Sequence, residues 1–402
     1  MSHSGVQNIG ILGGGQLGLM LSDSLSKLGA RVHVLDPDPL CPAARHTPYV
    51  THASFLDESA LSAFFSKCDR VTYEFEHIPT QALRNILKND EHRNKLWPSV
   101  EILEIAQNRI AEKTALSAIG VPLANWEPVK TLAQLLESKA KWLAQGKAAI
   151  LKTAKGGYDG KGQWVLKSEL DWQALLSSVS QFEPFPDFVL EEKCTLLTEL
   201  SVIVARHPEY GTVALPAVEN IHVNGILDTT LSPPRIETQF MKDAERISEK
   251  IAHELNICGI VCVEFFLVSQ SGQPTIIVNE IAPRPHNSGH ITRCSLTRSQ
   301  FDALAQILLD LPVATEPIAE TVQWAMWNTL GDLWLNPTSE NPVFWPKEVV
   351  SNAHVCEAML YGKTQARAGR KMGHVILKHQ SPEQVFSTID TLKNAFKQHS
   401  RK

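Results

Sequence analysis

The chain has 402 residues and a formal net charge of −5. At about 100–200 residues per domain, that length points to two or three cores, and the acidic balance argues against a protein that grips nucleic acid through a basic face. No uninterrupted apolar run approaches the ~20 residues that span a bilayer, and the N-terminus MSHSGVQNIG has none of the marks of a secretory signal. The seven cysteines (41, 68, 194, 258, 262, 294, 356) are scattered, without CxxC or Cys/His ligand spacing, so a reduced, cytoplasmic setting is expected.

In chain order, residues 8–12 and 31–35 read as short buried strands around a helix from Gln16 to Leu28 that ends at Gly29, a βαβ opening. An amphipathic stretch around 57–67 and a strand from Arg70 to Phe75 continue the alternation of a doubly wound sheet. The first domain is expected to end near Lys113, with a helix from Thr114 to Gly120 and the prolines of Val121-Pro122 and Trp126-Glu127-Pro128 marking a change of direction. Strands Ala148–Lys152 and Gln163–Lys167 then bracket a glycine-rich loop. The run Asp187–Glu191 leads into further strands near 200–206, 212–218, 260–267 and 275–281. The expected division is 1–113, 114–187 and 188–402.

Two glycine motifs carry chemistry. Gly13-Gly14-Gly15-Gln16-Leu17-Gly18 follows a strand and opens a helix, with Asp36 near the spacing of a ribose-binding acid. Nicotinamide dinucleotide, another phosphorylated ligand and a tight structural turn all remain open, because glycines and a helix N-terminus suit any anion. Glu74 and Glu76 either lie where open sheets bind ligands, beyond a strand's carboxyl end, or are solvated strand-end charges. The second motif, Lys155-Gly156-Gly157-Tyr158-Asp159-Gly160-Lys161-Gly162, fails the Walker pattern and joins two strands. It reads as a hairpin that folds over polyphosphate, or as a surface hairpin. Lys152, among apolar residues, needs an anion if buried, and a nucleotide phosphate would supply one. Glu191, Glu192, Lys193 and Cys194 end an apolar strand, unremarkable by themselves; as a crossover they could offer backbone groups to an adenine edge, with Glu199 receiving ribose hydroxyls.

Glu264 in VCVEFF and Glu280 in IIVNEIAPR place carboxylates in runs that otherwise read as buried, so each needs a cation. With Asn279 they offer hard oxygens suited to Mg²⁺ carrying ATP phosphates. The alternative is satisfaction by arginines such as Arg284. Beyond them, Arg284-Pro285-His286-Asn287-Ser288-Gly289-His290 is dense in hydrogen-bonding groups.

These motifs together resemble the ATP-grasp enzymes, and within them the N5-carboxyaminoimidazole ribonucleotide synthetases of purine biosynthesis. The likeness runs from GILGGGQLGLML through TYEFEHI, LKTAKGGYDGKGQW, PAVENIHVNGIL, VEFF and NEIAPRPHNSGH to ARAGRKMGH. It implies an α/β chain with an N-terminal Rossmann-like domain, a small glycine-hairpin lid and a larger ATP-grasp domain. It further implies ATP contacts at Arg109, Lys152, the loop Gly157, Tyr158, Asp159, Gly160, Lys161, Gly162 and Gln163, then Glu191 to Cys194, Glu199, His222, Asn279 and Glu280. Glu264 and Glu280 would hold Mg²⁺. Gln16, Leu17 and Glu74 would face 5-aminoimidazole ribonucleotide, and Lys363, Arg370 and Lys371 its phosphate, which removes the dinucleotide role from Asp36. Tyr158, Asp159, Lys161, Arg284, His286 and Asn287 would serve the reaction with bicarbonate.

The resemblance also implies a homodimer with no nucleic acid or membrane partner. A chain stopping at Lys402 is expected to lack the carboxylase domain fused in some relatives. The rival readings are a formate-dependent glycinamide ribonucleotide transformylase of the same architecture and a nicotinamide-dependent oxidoreductase.

Overall fold

A computed structural model describes residues 6–156, 162–318, 321–335 and 343–399. The first sheet is parallel and four-stranded, from β1 (Asn8–Leu12), β2 (Arg31–Asp36), β3 (Tyr49–His52) and β4 (Arg70–Tyr73), in the order β3-β2-β1-β4. β1 is a near-continuous apolar run, and Ile9, Ile11 and Leu12 are fully buried, as strands covered on both faces require. The helix Gln16–Lys27 buries Leu17, Met20, Leu21 and Leu25 against this sheet. β4 stops at Tyr73, short of the expected Phe75.

After helices Glu58–Ser66, Thr80–Ile86 and Val100–Ala106, a further helix runs Arg109–Ile119, so the chain is helical straight through the break expected at Lys113. Its start signal is Asn108, whose side chain accepts from the N–H groups of Ile110 and Ala111. Its end is Gly120, in left-handed backbone at φ 72. A second sheet follows, antiparallel, from β5 (Trp126–Val129), β6 (Ala149–Thr153), β7 (Gln163–Leu166) and β8 (Phe188–Glu192), ordered β5-β8-β6-β7. Trp142 and Trp172, from two helices, close its core. β6 and β7 bracket the glycine loop as read, with Lys152 opposite Gln163 and the Thr153 N–H donating to the Gly162 carbonyl at 2.9 Å. Gly157, Tyr158, Asp159, Gly160 and Lys161 lie outside the described residues.

The third sheet has nine strands: β9 (Thr195–His207), β10 (Gly211–Ala214), β11 (Val218–Val223), β12 (Ile226–Ser232), β13 (Gly259–Gln270), β14 (Gln273–Ala282), β15 (Gln323–Leu330), β16 (Val355–Leu360) and β17 (Lys371–His379). Its order is β14-β13-β9-β11-β12-β15-β17-β16, with β10 on β9. The single strand expected over 212–218 is two, interrupted around Pro216, which has no N–H for a ladder. Leu200, Val202 and Val204 of β9, with Val261, Val263 and Phe265 of β13, enter a dry core under the helix Thr238–Glu254. Strand alternation therefore sends Glu199, Ser201 and Glu264 to the opposite face.

Candidate active site

That opposite face floors a cavity of about 700 Å³ whose walls also include Glu76 and Gln107 from the N-terminal region and Lys152 and Gln163 from the second sheet. A more open groove of about 770 Å³ lies elsewhere, around Leu197, Arg235 and Phe240, and lacks this convergence of charge.

In the β13–β14 register Glu264 stands opposite Glu280, with a bulge immediately after Glu264. Glu264 Oε1 lies 3.0 Å from His286 Nε2, and Glu280 Oε2 accepts from Arg109 at 2.9 Å. Burial opposes ionisation of Glu264, but the His286 contact, with His222 and Arg284 nearby, holds its carboxyl below the ordinary range. Arg284 does not serve this pair. It forks onto Glu76, donating to both carboxylate oxygens, one at 2.8 Å, and also to the Pro285 carbonyl at 3.0 Å. Burial works against the charge on Glu76, yet Arg284 brings its pKa down to about 2. The two facing carboxylates suit a hard cation. Among the described residues no group of three or more His, Cys, Asp or Glu is arranged to hold a metal. The donor set thus fits Mg²⁺ that arrives on phosphates and keeps water ligands, rather than an ion caged by protein alone.

Lys152 finds its anion inside the protein: its Nζ is 3.0 Å from Glu191 Oε2. Lys113, only 2% exposed, approaches Glu191 Oε1 at 3.8 Å and donates to the Asn279 carbonyl at 2.7 Å. The anion that Lys152 was expected to need is here a carboxylate of the protein itself, and the Glu191 side chain is turned toward two lysines. Glu192 pairs with Lys147 at 2.8 Å, the Lys193 N–H donates to the Ala148 carbonyl, and Cys194 packs on the cluster of Ala124, Val268 and Ile277. None of these four side chains lines the cavity. Glu199 and His222 do, with 2.8 Å between Glu199 Oε2 and His222 Nδ1. Burial disfavours a charged His222, but Glu199 outweighs it and raises the imidazole's pKa. Asn279, Glu280, Gln163, Arg109, His286 and Lys371 share the same walls. Asn287 does too, and neither atom of its buried amide has a hydrogen-bond partner among the described residues.

The N-terminal glycine turn is filled from within. The N–H groups of Gly15, Leu17 and Gly18 donate to Glu74 at 2.8, 3.1 and 3.1 Å, and that of Gly14 to Asp36 at 2.7 Å. A dinucleotide pyrophosphate would need those same donors, so the oxidoreductase reading loses its anion site. The Leu17 side chain belongs to the core, leaving Gln16, partly exposed, beside the turn. Lys363 donates to the Lys371 carbonyl at 2.7 Å, and Arg370 to that of Gln365 at 2.9 Å. Burial, then the charge of Arg370, brings the pKa of Lys363 down to about 8, with Glu74 pulling the other way. Arg45 ties this segment to the first sheet through the Gly362 carbonyl at 2.7 Å.

Sequence reading missed Lys113, Glu76 as the partner of Arg284, and the buried polar residues Ser201 and Asn220 that stand behind Ser288. The available signal was alternation: Glu199 and Ser201 interrupt an apolar strand on one face.

A small antiparallel sheet facing a cavity floored by a larger sheet that carries paired acids is the arrangement of the ATP-grasp class. Residues 114–301 match the ATP-grasp domain, residues 6–107 the ribonucleotide synthetase preATP-grasp domain and residues 325–388 the phosphoribosylaminoimidazole carboxylase C-terminal domain. More particularly, the chain belongs to the N5-carboxyaminoimidazole ribonucleotide synthase family. It is 35% identical over 381 residues to the Bacillus subtilis (strain 168) enzyme of that name, covering 95% of this chain and 94% of the relative. It spans 36% of a bifunctional purine synthesis protein purC/E from Dictyostelium discoideum, at 33% identity over 91% of this chain. A crystal structure of an ADP complex of N5-carboxyaminoimidazole ribonucleotide synthetase superposes with a TM-score of 0.84 at 33% identity, covering 100% of both chains. The Aspergillus clavatus synthase with ADP and 5-aminoimidazole ribonucleotide gives 0.81 at 26% identity, covering 98% of this chain and 99% of that one.

Proposed function

We propose that this chain carboxylates the exocyclic amine of 5-aminoimidazole ribonucleotide with bicarbonate and ATP, giving N5-carboxyaminoimidazole ribonucleotide, ADP and phosphate. The observation that carries the reading is the facing pair Glu264 and Glu280 in one cavity with Lys152, Glu199 and His222. The family relationship supports it, as does the complex of an A. clavatus relative with this ribonucleotide.

On this reading ATP phosphorylates bicarbonate to carboxyphosphate, which delivers its carboxyl to the amine. Glu264 and Glu280 would hold Mg²⁺, which when bound would neutralise charge on the transferring phosphoryl group. Arg109 and Lys152 supply fixed positive charge beside it. Asn279 sits next to Glu280, Glu199 receives ribose hydroxyls, and Glu191 to Cys194 offer backbone groups to adenine. The hairpin bearing Tyr158, Asp159 and Lys161 closes over the phosphates and keeps water from a short-lived intermediate. His286, the unpaired amide of Asn287 and the part of the Arg284 fork not used by Glu76 face bicarbonate and the amine. Gln16, Leu17 and Glu74 border the base, and Lys363, Arg370 and Lys371 the phosphate. A homodimer and a cytoplasmic location belong to the same proposal, as does a division near 1–113, 114–187 and 188–402 with its first boundary moved ahead of the helix Arg109–Ile119 and its second moved past β8, which pairs in the second sheet. No described helix is long and apolar enough to cross a membrane.

The test is ADP release with Mg-ATP and bicarbonate, with and without 5-aminoimidazole ribonucleotide, and with formate plus glycinamide ribonucleotide as control. Stimulation by the first ribonucleotide alone is expected. Stimulation by the formate pair would transfer the substrate assignment, and silence in every arm would end the catalytic reading.

A further inference from the structure

His286 stands in the cavity wall with one ring nitrogen toward Glu264 and the other toward the protein interior. Its Nδ1 meets the Ser288 hydroxyl at 2.8 Å and the Ser288 backbone N–H at 3.4 Å. A backbone N–H can only donate, so Nδ1 is an acceptor and the ring proton sits on Nε2, 3.0 Å from Glu264 Oε1. The Ser288 hydroxyl gives its single proton to Nδ1 and must itself accept. Ser201 Oγ, 2.7 Å away, is the donor, and Ser201 in turn accepts from Asn220 Nδ2 at 2.9 Å. Thr230 fixes that amide the same way round by donating to Asn220 Oδ1 at 3.1 Å. Each link in the chain has one donor and one acceptor, and its polarity runs one way, from Thr230 to Glu264.

The sheet builds this row. Thr230 lies opposite Asn220 between β12 and β11, and Ser201 opposite Glu264 between β9 and β13. Ser201, Asn220, Thr230 and Ser288 are between 0 and 4% exposed. Apolar side chains in their place would satisfy packing without any polar group to desolvate, so stability alone does not call for the row. What it supplies is direction.

We infer that Ser288, Ser201, Asn220 and Thr230 are positioning residues that hold His286 as an Nε2–H donor fixed against Glu264 at the reaction cavity. The tautomer stands on the hydrogen-bond geometry alone; its use in turnover rests on the carboxylation proposed above. Outer partners of this kind change activity by roughly 10–100-fold when removed. Two measurements separate the two parts. Nitrogen-15 NMR of histidine-labelled, ligand-free protein, with His286 assigned by its loss in His286→Asn, is expected to show Nδ1 unprotonated and hydrogen-bonded. Its signal should move toward that of a free acceptor nitrogen in Ser288→Ala. A protonated Nδ1 in the unaltered protein would overturn the inference whatever the activity.

Kinetically, Ser288→Ala and Ser201→Ala should each lower kcat about tenfold or more with KM for ATP unchanged. The double variant should fall little further than the worse single one, since both break one chain. Losses that multiply, or that appear in KM for ATP, would mark ordinary structural damage and sink the positioning role. Should Ser288→Ala not fold, Thr230→Val, nearly isosteric, makes the same test from the far end. There kcat must fall with an unchanged melting temperature.

Discussion

Single side chains carry most of the chemistry, and their environments make them testable. Glu280 shares its charge with Arg109 and faces Glu264 across two strands, and it is partly open to the cavity. Glu280→Ala should therefore abolish ATP turnover while leaving the melting temperature within a few degrees. ADP release and a thermal scan check both halves, and near-normal turnover would remove Glu280 from the cation site. Lys363 titrates within reach of experiment because burial and Arg370 bring it to about 8. The sign follows: its positive charge is present below about pH 8 and lost above, so kcat/KM for 5-aminoimidazole ribonucleotide should decline as pH rises through 8. Lys363→Arg, protonated throughout, should carry a flat profile past pH 9. A profile that keeps its decline in that variant would take Lys363 out of phosphate binding. The same depressed pKa makes folding less favourable below about 8 than near 10.5, so Lys363 is held charged at some cost in stability.

At the scale of elements, the glycine turn shows how one motif admits different uses. Its glycines let the backbone approach an anion, and here the anion is the Glu74 carboxylate on the helix N-terminus. Gly13 needs its positive φ of 96, and a Cβ there would stand 2.6 Å from Glu74 Cγ. Glu74→Ala would leave three buried N–H groups unpaired and should lower stability by about 2 kcal/mol, read by urea unfolding. An unchanged midpoint would mean that the carboxylate does not cap the helix. The second sheet shows the complementary case. Its hairpin strands were legible from alternation around the glycines, but of the helix Arg109–Ile119 only the second half and its end at Gly120 were, because its cap at Asn108 lies upstream of the proline and glycine signals that mark that end.

Across the whole molecule, the proposed site draws on all three sheets and on segments distant in sequence. Arg284 and Glu76 join the third sheet to the loop after the first, and Arg45 joins the first sheet to Gly362. Arg45→Ala should loosen the segment carrying Lys363 and Arg370 and lower kcat/KM for the ribonucleotide by about tenfold, with KM for ATP unaffected. Equal losses toward both substrates would argue for general unfolding. Sedimentation should give a mass of about twice 44.6 kDa for the proposed homodimer.

Local pattern was sufficient for much of this. Apolar runs and their turns gave β1, β2, β6, β7, β13 and β14, because periodicity and punctuation are properties of short windows. The carboxylates Glu264 and Glu280 stood out in sequence because charge inside a buried strand demands an explanation. What sequence left open was pairing. Lys152 needed an anion, and only the fold makes it Glu191; Arg284 suited several carboxylates, and only the fold gives it Glu76. The row from Thr230 to His286 is invisible in the chain, since its members come from three strands and a loop and none is unusual alone. Partner choice depends on distances set by strand register and sheet stacking, and those come from the packing of the whole chain rather than from any window of it.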